Sequence, residues 1–365
     1  MAESGPVRQA AAQHDAALAA MASGRLKDAR VLGAAAVDSA IAAFGPDSPD
    51  VANVILTCAD IEEAAGDFAA ARALAERAAE IAEPLAETRD AALMSLWVDI
   101  ELVCARMLLN SAAFELAYAR LAAALHISHQ ILDADDTTVL SIHNLRGVTA
   151  KSCGQFDAAA AHYAHIQAVL DVEPVTDEQA LAVLLHNLGG LAHARGRFAE
   201  GLAHARRGLE LRIEAVGDDH PDVACDLSAI GALHHDSGDP TAAVSCYRRA
   251  LEIFESALGA DHYEVGMTCA NLAVSTAASD TAEARRLYER SLRILQSTLG
   301  STHPDVALVQ HNLAVLLAGQ GDVDAAKQLL AQAETALGAG LPPEHPRRRD
   351  LHATVEGLSP LRNGQ

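Results

Sequence analysis

The chain has 365 residues, half of them hydrophobic, which is enough to bury a core and too apolar for a disordered polymer. Aromatics supply only 3% while alanine recurs in nearly every segment, a balance that favours closely packed helices over β-sandwiches. Lys plus Arg total 27 against 49 Asp plus Glu, and the resulting net charge of -22 repels phosphate backbones and anionic membrane surfaces, so neither nucleic acid nor a membrane is expected as a partner.

The opening Met1-Ala2-Glu3-Ser4-Gly5-Pro6 lacks a basic region followed by an apolar run, and no window reaches eighteen uncharged apolar residues. A cytoplasmic protein is the expectation, and the Ala-rich, Arg-over-Lys usage suggests a high-GC bacterium. Six cysteines (Cys58, Cys104, Cys153, Cys225, Cys246, Cys269) are scattered without a C-x-x-C pair and read as small buried thiols.

Taken in chain order, the predicted elements repeat. A Gly followed by a polar residue recurs as Gly24-Arg25, Gly66-Asp67, Gly154-Gln155, Gly196-Arg197, Gly238-Asp239 and Gly321-Asp322, with Asn110-Ser111 and Ser279-Asp280 filling the gaps, at spacings of 42, 44, 44, 42, 42, 41 and 42. A second mark opens the units: Gly45-Pro46-Asp47-Ser48-Pro49-Asp50, Gly217-Asp218-Asp219-His220-Pro221-Asp222, Gly259-Ala260-Asp261-His262-Tyr263-Glu264 and Gly300-Ser301-Thr302-His303-Pro304-Asp305. Two marks per period mean two helices per unit. Gly supplies the left-handed residue that ends a helix, the following Asp caps the next one, and Pro49, Pro221 and Pro304 each occupy a first helical position, where no backbone donor is needed.

Eight helical hairpins are expected, near 6–47, 48–89, 90–133, 134–176, 177–219, 220–261, 262–302 and 303–344, followed by a capping helix from about His345 to Gly357 within a 345–365 tail. The register is weakest from 90 to 133, around Trp97. Residues 220–261 serve as the template: Leu227, Ile230 and Leu233 form the buried stripe of the first helix beside Gly231, and Ala243, Tyr247, Ala250 and Leu251 form that of the second.

Large apolar, Leu and small residue, Gly at the turn, then Ala, aromatic and Ala on the second helix: this order resembles the tetratricopeptide repeat family. The 42-residue period and the His-Pro-Asp-Val-Ala connector resemble its kinesin light chain type. The resemblance covers essentially the whole chain. It implies an all-α, right-handed superhelical solenoid forming one continuous domain, with first helices lining a concave wall.

The resemblance also implies a function, binding of a peptide or protein segment in that groove. In kinesin light chain-like repeats a first-helix Asn faces the groove and holds the ligand backbone; the matching positions are Asn187, Asn271 and Asn312, with Asn144 a fourth candidate whose register is offset by Gly147 and Gly154. An amide offers donors and an acceptor whatever the ligand's side chains. His186 and His311 precede two of these Asn residues and are expected at the groove edge, where their titration would make binding pH-sensitive. Ala229 and Thr57 interrupt the series, and bonding of the Asn residues to neighbouring helices is the alternative. The cationic clamp for a C-terminal carboxylate finds no counterpart on these first helices.

No cofactor, metal or catalytic residue is expected. His126/His129, His162/His165 and His234-His235 are two-ligand fragments without a completing carboxylate signature, and no Gly-x-Ser-x-Gly, Walker loop or dinucleotide fingerprint occurs. Cys225 or Cys269 beside a groove histidine is the one nucleophile pair to weigh. The competing class is a biosynthetic or regulatory protein, enzymes included, that binds a small molecule or metal in the groove through His and Cys.

Overall fold

The computed structural model describes residues 5–171, 177–340 and 346–358. Seventeen α-helices and one short 3-10 helix occur among them, without a strand. They form an all-α solenoid of antiparallel hairpins and divide into two compact units, Met1–Asp177 and Glu178–Gln365.

The first unit holds four hairpins: α1 (Gly5–Ala22) with α2 (Leu26–Phe44), α3 (Pro49–Ala64) with α4 (Phe68–Ala82), α5 (Ala91–Asn110) with α6 (Phe114–Ile131), and α7 (Thr137–Ser152) with α8 (Phe156–Leu170). The second holds α9 (Glu178–Ala194) with α10 (Phe198–Val216), α11 (Pro221–Asp236) with α12 (Pro240–Leu258), α13 (Tyr263–Thr276) with α14 (Thr281–Leu299), and α15 (Pro304–Gly319) with α16 (Val323–Gly340). The capping helix α17 (Pro346–Leu358) packs on α15 and α16 and buries Leu351. Pro342, Pro343 and His345 lie outside the described residues, as do the side chains of Arg347 and Asp350.

The punctuation acts as its chemistry requires. Asp67, Asp239, Asp280 and Asp322 each accept from a backbone N–H in the first turn of the following helix, at 2.9–3.3 Å. Gly238 adopts φ 89°, a left-handed conformation in which a Cβ would be strained. Two turns depart from expectation: the α13–α14 turn at Ser279-Asp280 has no left-handed residue, and the α5–α6 turn places one elsewhere. Between α5 and α6 the left-handed residue is not Asn110 or Ser111, which end the helix in right-handed geometry, but Ala112 at φ 58°. The polar pair Asn110-Ser111 has turn chemistry, whereas an alanine carries no turn signal.

Packing follows the template. Ile230, Gly231 and Leu233 are buried on α11, Ala243, Tyr247 and Ala250 on α12, and Leu227 and Leu251 are half-buried beside them. A Cβ at Gly231 would come within 2.8 Å of the Tyr247 ring, and one at Gly147 within 2.3 Å of the Tyr163 ring. The two contacts are equivalent, so they define a common register for α7 and α11. Within each unit the first helices of adjacent hairpins approach one another (α3 with α5, α5 with α7, α9 with α11, α11 with α13) more closely than the second helices do. The layer with the closer spacing is the inner side of a stack's curvature, so in each unit the first helices line the inner face.

Candidate functional site

Polar rungs join first helix to first helix across that inner face. In the first unit the ring nitrogen Nε2 of His14 lies 2.8 Å from Thr57 Oγ1, the Arg106 guanidinium pairs with Asp60 and donates to Glu63 at 3.1 Å, and Asn110 donates to Glu63 at 3.0 Å. The second unit has its own series: His186 to Asp226 (2.7 Å), His193 to Asp236 (2.6 Å), Ser275 to His235 (3.1 Å), Tyr263 to Asp305 (3.4 Å) and His311 to Thr354 of the capping helix (2.8 Å). His186 and His311 are therefore bridging residues of the stack.

The most deeply buried rung centres on Asp226, which is 2% exposed. Its two oxygens accept from His186 Nδ1 of α9 and, at 3.1 Å, from Arg212 Nε of α10. Three helices thus meet on one carboxylate, whose desolvation is offset only because both oxygens are bonded. Nδ1 is thus the ring nitrogen that donates to the carboxylate, and the pairing fixes the orientation of the His186 ring. Neither Asp226 nor Arg212 stands out in the sequence, since their partners are on other hairpins.

The four Asn candidates separate. Asn187 is buried at 7% exposure and already engaged, and Asn144 is also engaged. Asn187, Asn271 and Asn312 stand two residues before the small residues Gly189, Ala273 and Ala314. Asn144 stands three before Gly147, about 100° further round its helix. Asn271 and Asn312 are half-buried, make no hydrogen bond to any described residue, and are absent from the buried amide atoms without partners. Two equivalent amides on adjacent first helices are unspent and solvent-reachable.

Histidines take roles that spacing alone did not reveal. His220, His262 and His303 cap α11, α13 and α15, each Nδ1 accepting a backbone N–H at 3.2 Å. His162 and His165 of α8 gather around His143 of α7, with burial foremost lowering His143 and His162 to about 4. Among the described residues no group of three or more His, Cys, Asp or Glu side chains is arranged to hold a metal.

Burial pushes the thiols of Cys225 and Cys269 up, the latter to about 11, so neither supplies a thiolate at neutral pH. On the first unit's inner face burial, reinforced by Asp136 and Asp60, raises Asp99 to about 6. That face is acidic. No helix among the described residues is long and apolar enough to cross a membrane.

The fold is similar to that of the Rap conjugation gene regulator of the plasmid pLS20 in complex with the Phr* peptide, at 14% identity over 85% of this chain and 77% of that one, with a TM-score of 0.61. It is also similar to a Rap protein complexed with Competence and Sporulation Factor, at 10% identity over 96% of this chain and 99% of that one, TM-score 0.59. Kinesin light chain nearly identical TPR-like repeats from Podosopora anserina share 18% identity over 68% of this chain and 96% of theirs, TM-score 0.36. No curated protein sequence matches. The tetratricopeptide repeat model matches residues 8–83, 180–256, 227–297 and 273–338, well over half the chain. The chain belongs to the tetratricopeptide repeat family.

Proposed function

We propose that the protein is a binding scaffold whose first-helix face in the second unit holds an extended peptide or protein segment, and that it acts by binding rather than by catalysis. The carrying observation is the pair Asn271 and Asn312, equivalent in register and free of hydrogen bonds to any described residue. Each amide can donate to a ligand carbonyl and accept from a ligand N–H, which recognises the backbone whatever its sequence. Asn187, buried and already engaged, is not free for a ligand in the same way. His186 is held beside it by Asp226, and His311 ties the capping helix to the same face. A related fold solved with a bound peptide supports the reading.

Each amide-to-backbone bond nets about 0.5–1.5 kcal/mol, so with at least one such bond per amide the Asn271→Ala/Asn312→Ala variant is expected to lose at least about fivefold to a hundredfold in affinity for a bound segment. Calorimetric titration of wild type and variant against the same segment tests this. Full retention of affinity by a normally folded variant would remove the mechanism.

A further inference from the structure

Beyond its first turn, neither α13 nor α15 carries a charged side chain: Glu264 and Asp305 are the sole ionisable carboxylates on these helices, and there is no Lys or Arg. The neighbouring second helix α14 carries six Arg and Glu residues in 19, within a chain of net charge -22. The first helix α9 likewise carries no Asp, Glu, Lys or Arg past Glu178, but its Asn187 is already engaged.

On α13 the positions past the first turn that are not buried are Met267, Asn271 and Val274, a single stripe at four- and three-residue steps. The same register 41 residues on reads Leu308, Asn312 and Val315, and Val315 is 48% exposed, one of few large apolar side chains in that state. A solvent-facing stripe on a helix is ordinarily polar, and burying a large apolar side chain on binding is favourable. On α15 Asn312 is flanked by the exposed Val315 and the half-buried Leu308, whereas Met267 and Val274 beside Asn271 pack partly on the hydrophobic core and offer a ligand only their remaining surface. A charged ligand side chain brought here would lose water without gaining a counter-charge.

We infer that the α13–α15 face selects an extended peptide segment carrying uncharged, apolar side chains beside the backbone it presents to Asn271 and Asn312. This rests on the peptide-binding reading above and adds the chemistry of the ligand's side chains. Leu, Val, Ile or Met of the segment would sit against Val274 and Val315, and affinity would owe little to long-range electrostatics. The first-helix face of the first unit, with Asp99 and the Arg106 guanidinium paired to Asp60 and Glu63, is charged instead.

The test uses the full chain and an array of extended peptides with a Gly/Ser background, each carrying Leu, Lys or Glu at the same two positions. Leu peptides are expected to bind about tenfold tighter than Lys or Glu peptides, and to change by less than about twofold between about 0.05 and 0.5 M salt. Val315→Lys, at an exposed position, is expected to abolish the preference for Leu. Stronger binding of Lys or Glu peptides, steep salt dependence, or an unchanged Leu preference in Val315→Lys overturns the inference. If those results accompany a loss of binding in Asn271→Ala/Asn312→Ala, the amide mechanism survives and only the side-chain selectivity falls. If no peptide binds, or binding ignores the amide substitutions, both fall together.

Discussion

Nδ1 of His143 on α7 lies 3.1 Å from Nδ1 of His162 on α8, so one ring donates and the other accepts, an arrangement that protonation of the accepting ring breaks. The ring of His165 stacks on His143 with centroids 3.9 Å apart, and the Nε2 atoms of His143 and His165 are buried without a partner. Arg146 of α7 adds positive charge, and its guanidinium bonds the Tyr118 hydroxyl of α6 at 2.8 Å; His129 of α6 bears on the cluster as well. Burial, these neighbouring imidazoles and Arg146 together hold His143 at about 4.

The folded state therefore binds fewer protons here than the unfolded chain. With His143 and His162 lowered from 6.5 to about 4, their contribution to stability is full above about pH 6.5, declines as pH falls, and is gone below about pH 4. Urea unfolding across this window is expected to show a descending acid limb in the wild type. In His143→Leu/His162→Leu that limb should flatten. Superimposable pH profiles would assign acid sensitivity elsewhere.

Removing the carboxylate at Asp226 strands Arg212, which is 11% exposed, without a full counter-charge and unties His186. Asp226→Ala is expected to cost about 3–5 kcal/mol, in keeping with breaking a buried pair from one side. Denaturant titration at neutral pH measures it. A loss below about 1 kcal/mol would show that the α9–α10–α11 junction does not depend on this residue.

Ala112 occupies left-handed space at φ 58° where other turns place glycine. Ala112→Gly should stabilise the first unit by about 1 kcal/mol, the penalty a Cβ incurs in that region less the added entropy of the unfolded chain. A decrease in the thermal midpoint would contradict the strain.

Elsewhere glycine is required by contact rather than conformation. Gly147→Ala drives a Cβ toward the fully buried Tyr163 ring, and Gly231→Ala does the same to Tyr247 with half an ångström more room. Both are expected to destabilise by about 1–3 kcal/mol despite the better helix propensity of alanine, Gly147→Ala the more severely. Adding Tyr163→Leu should recover part of the Gly147→Ala loss. If the single variants unfold at wild-type denaturant concentrations, the rings move aside without cost.

The hairpins, their capping aspartates and the Gly231–Tyr247 register were legible because each is local: a turn residue, a cap and the first contact of a hairpin lie within a few to about twenty residues of one another. The turn at Ala112 was not, because nothing in alanine's chemistry marks it and the surrounding helices impose its conformation. The capping role of histidine was not legible for a related reason. The His220, His262 and His303 caps look like connector residues until the backbone places a free N–H beside each ring.

For the first-helix face of the second unit the division is sharper. Residue order determined that Asn187, Asn271 and Asn312 recur on first helices, and that α13 and α15 carry no charge past their first turns. Only the tertiary structure decided that His186 is tied to Asp226 and that His311 is tied to Thr354, while Asn271 and Asn312 keep their amides free. The physical reason is that a helical side chain reaches about one turn along its own helix, whereas these partners stand 40 and 43 residues away in sequence. Stacking alone brings them within hydrogen-bond distance.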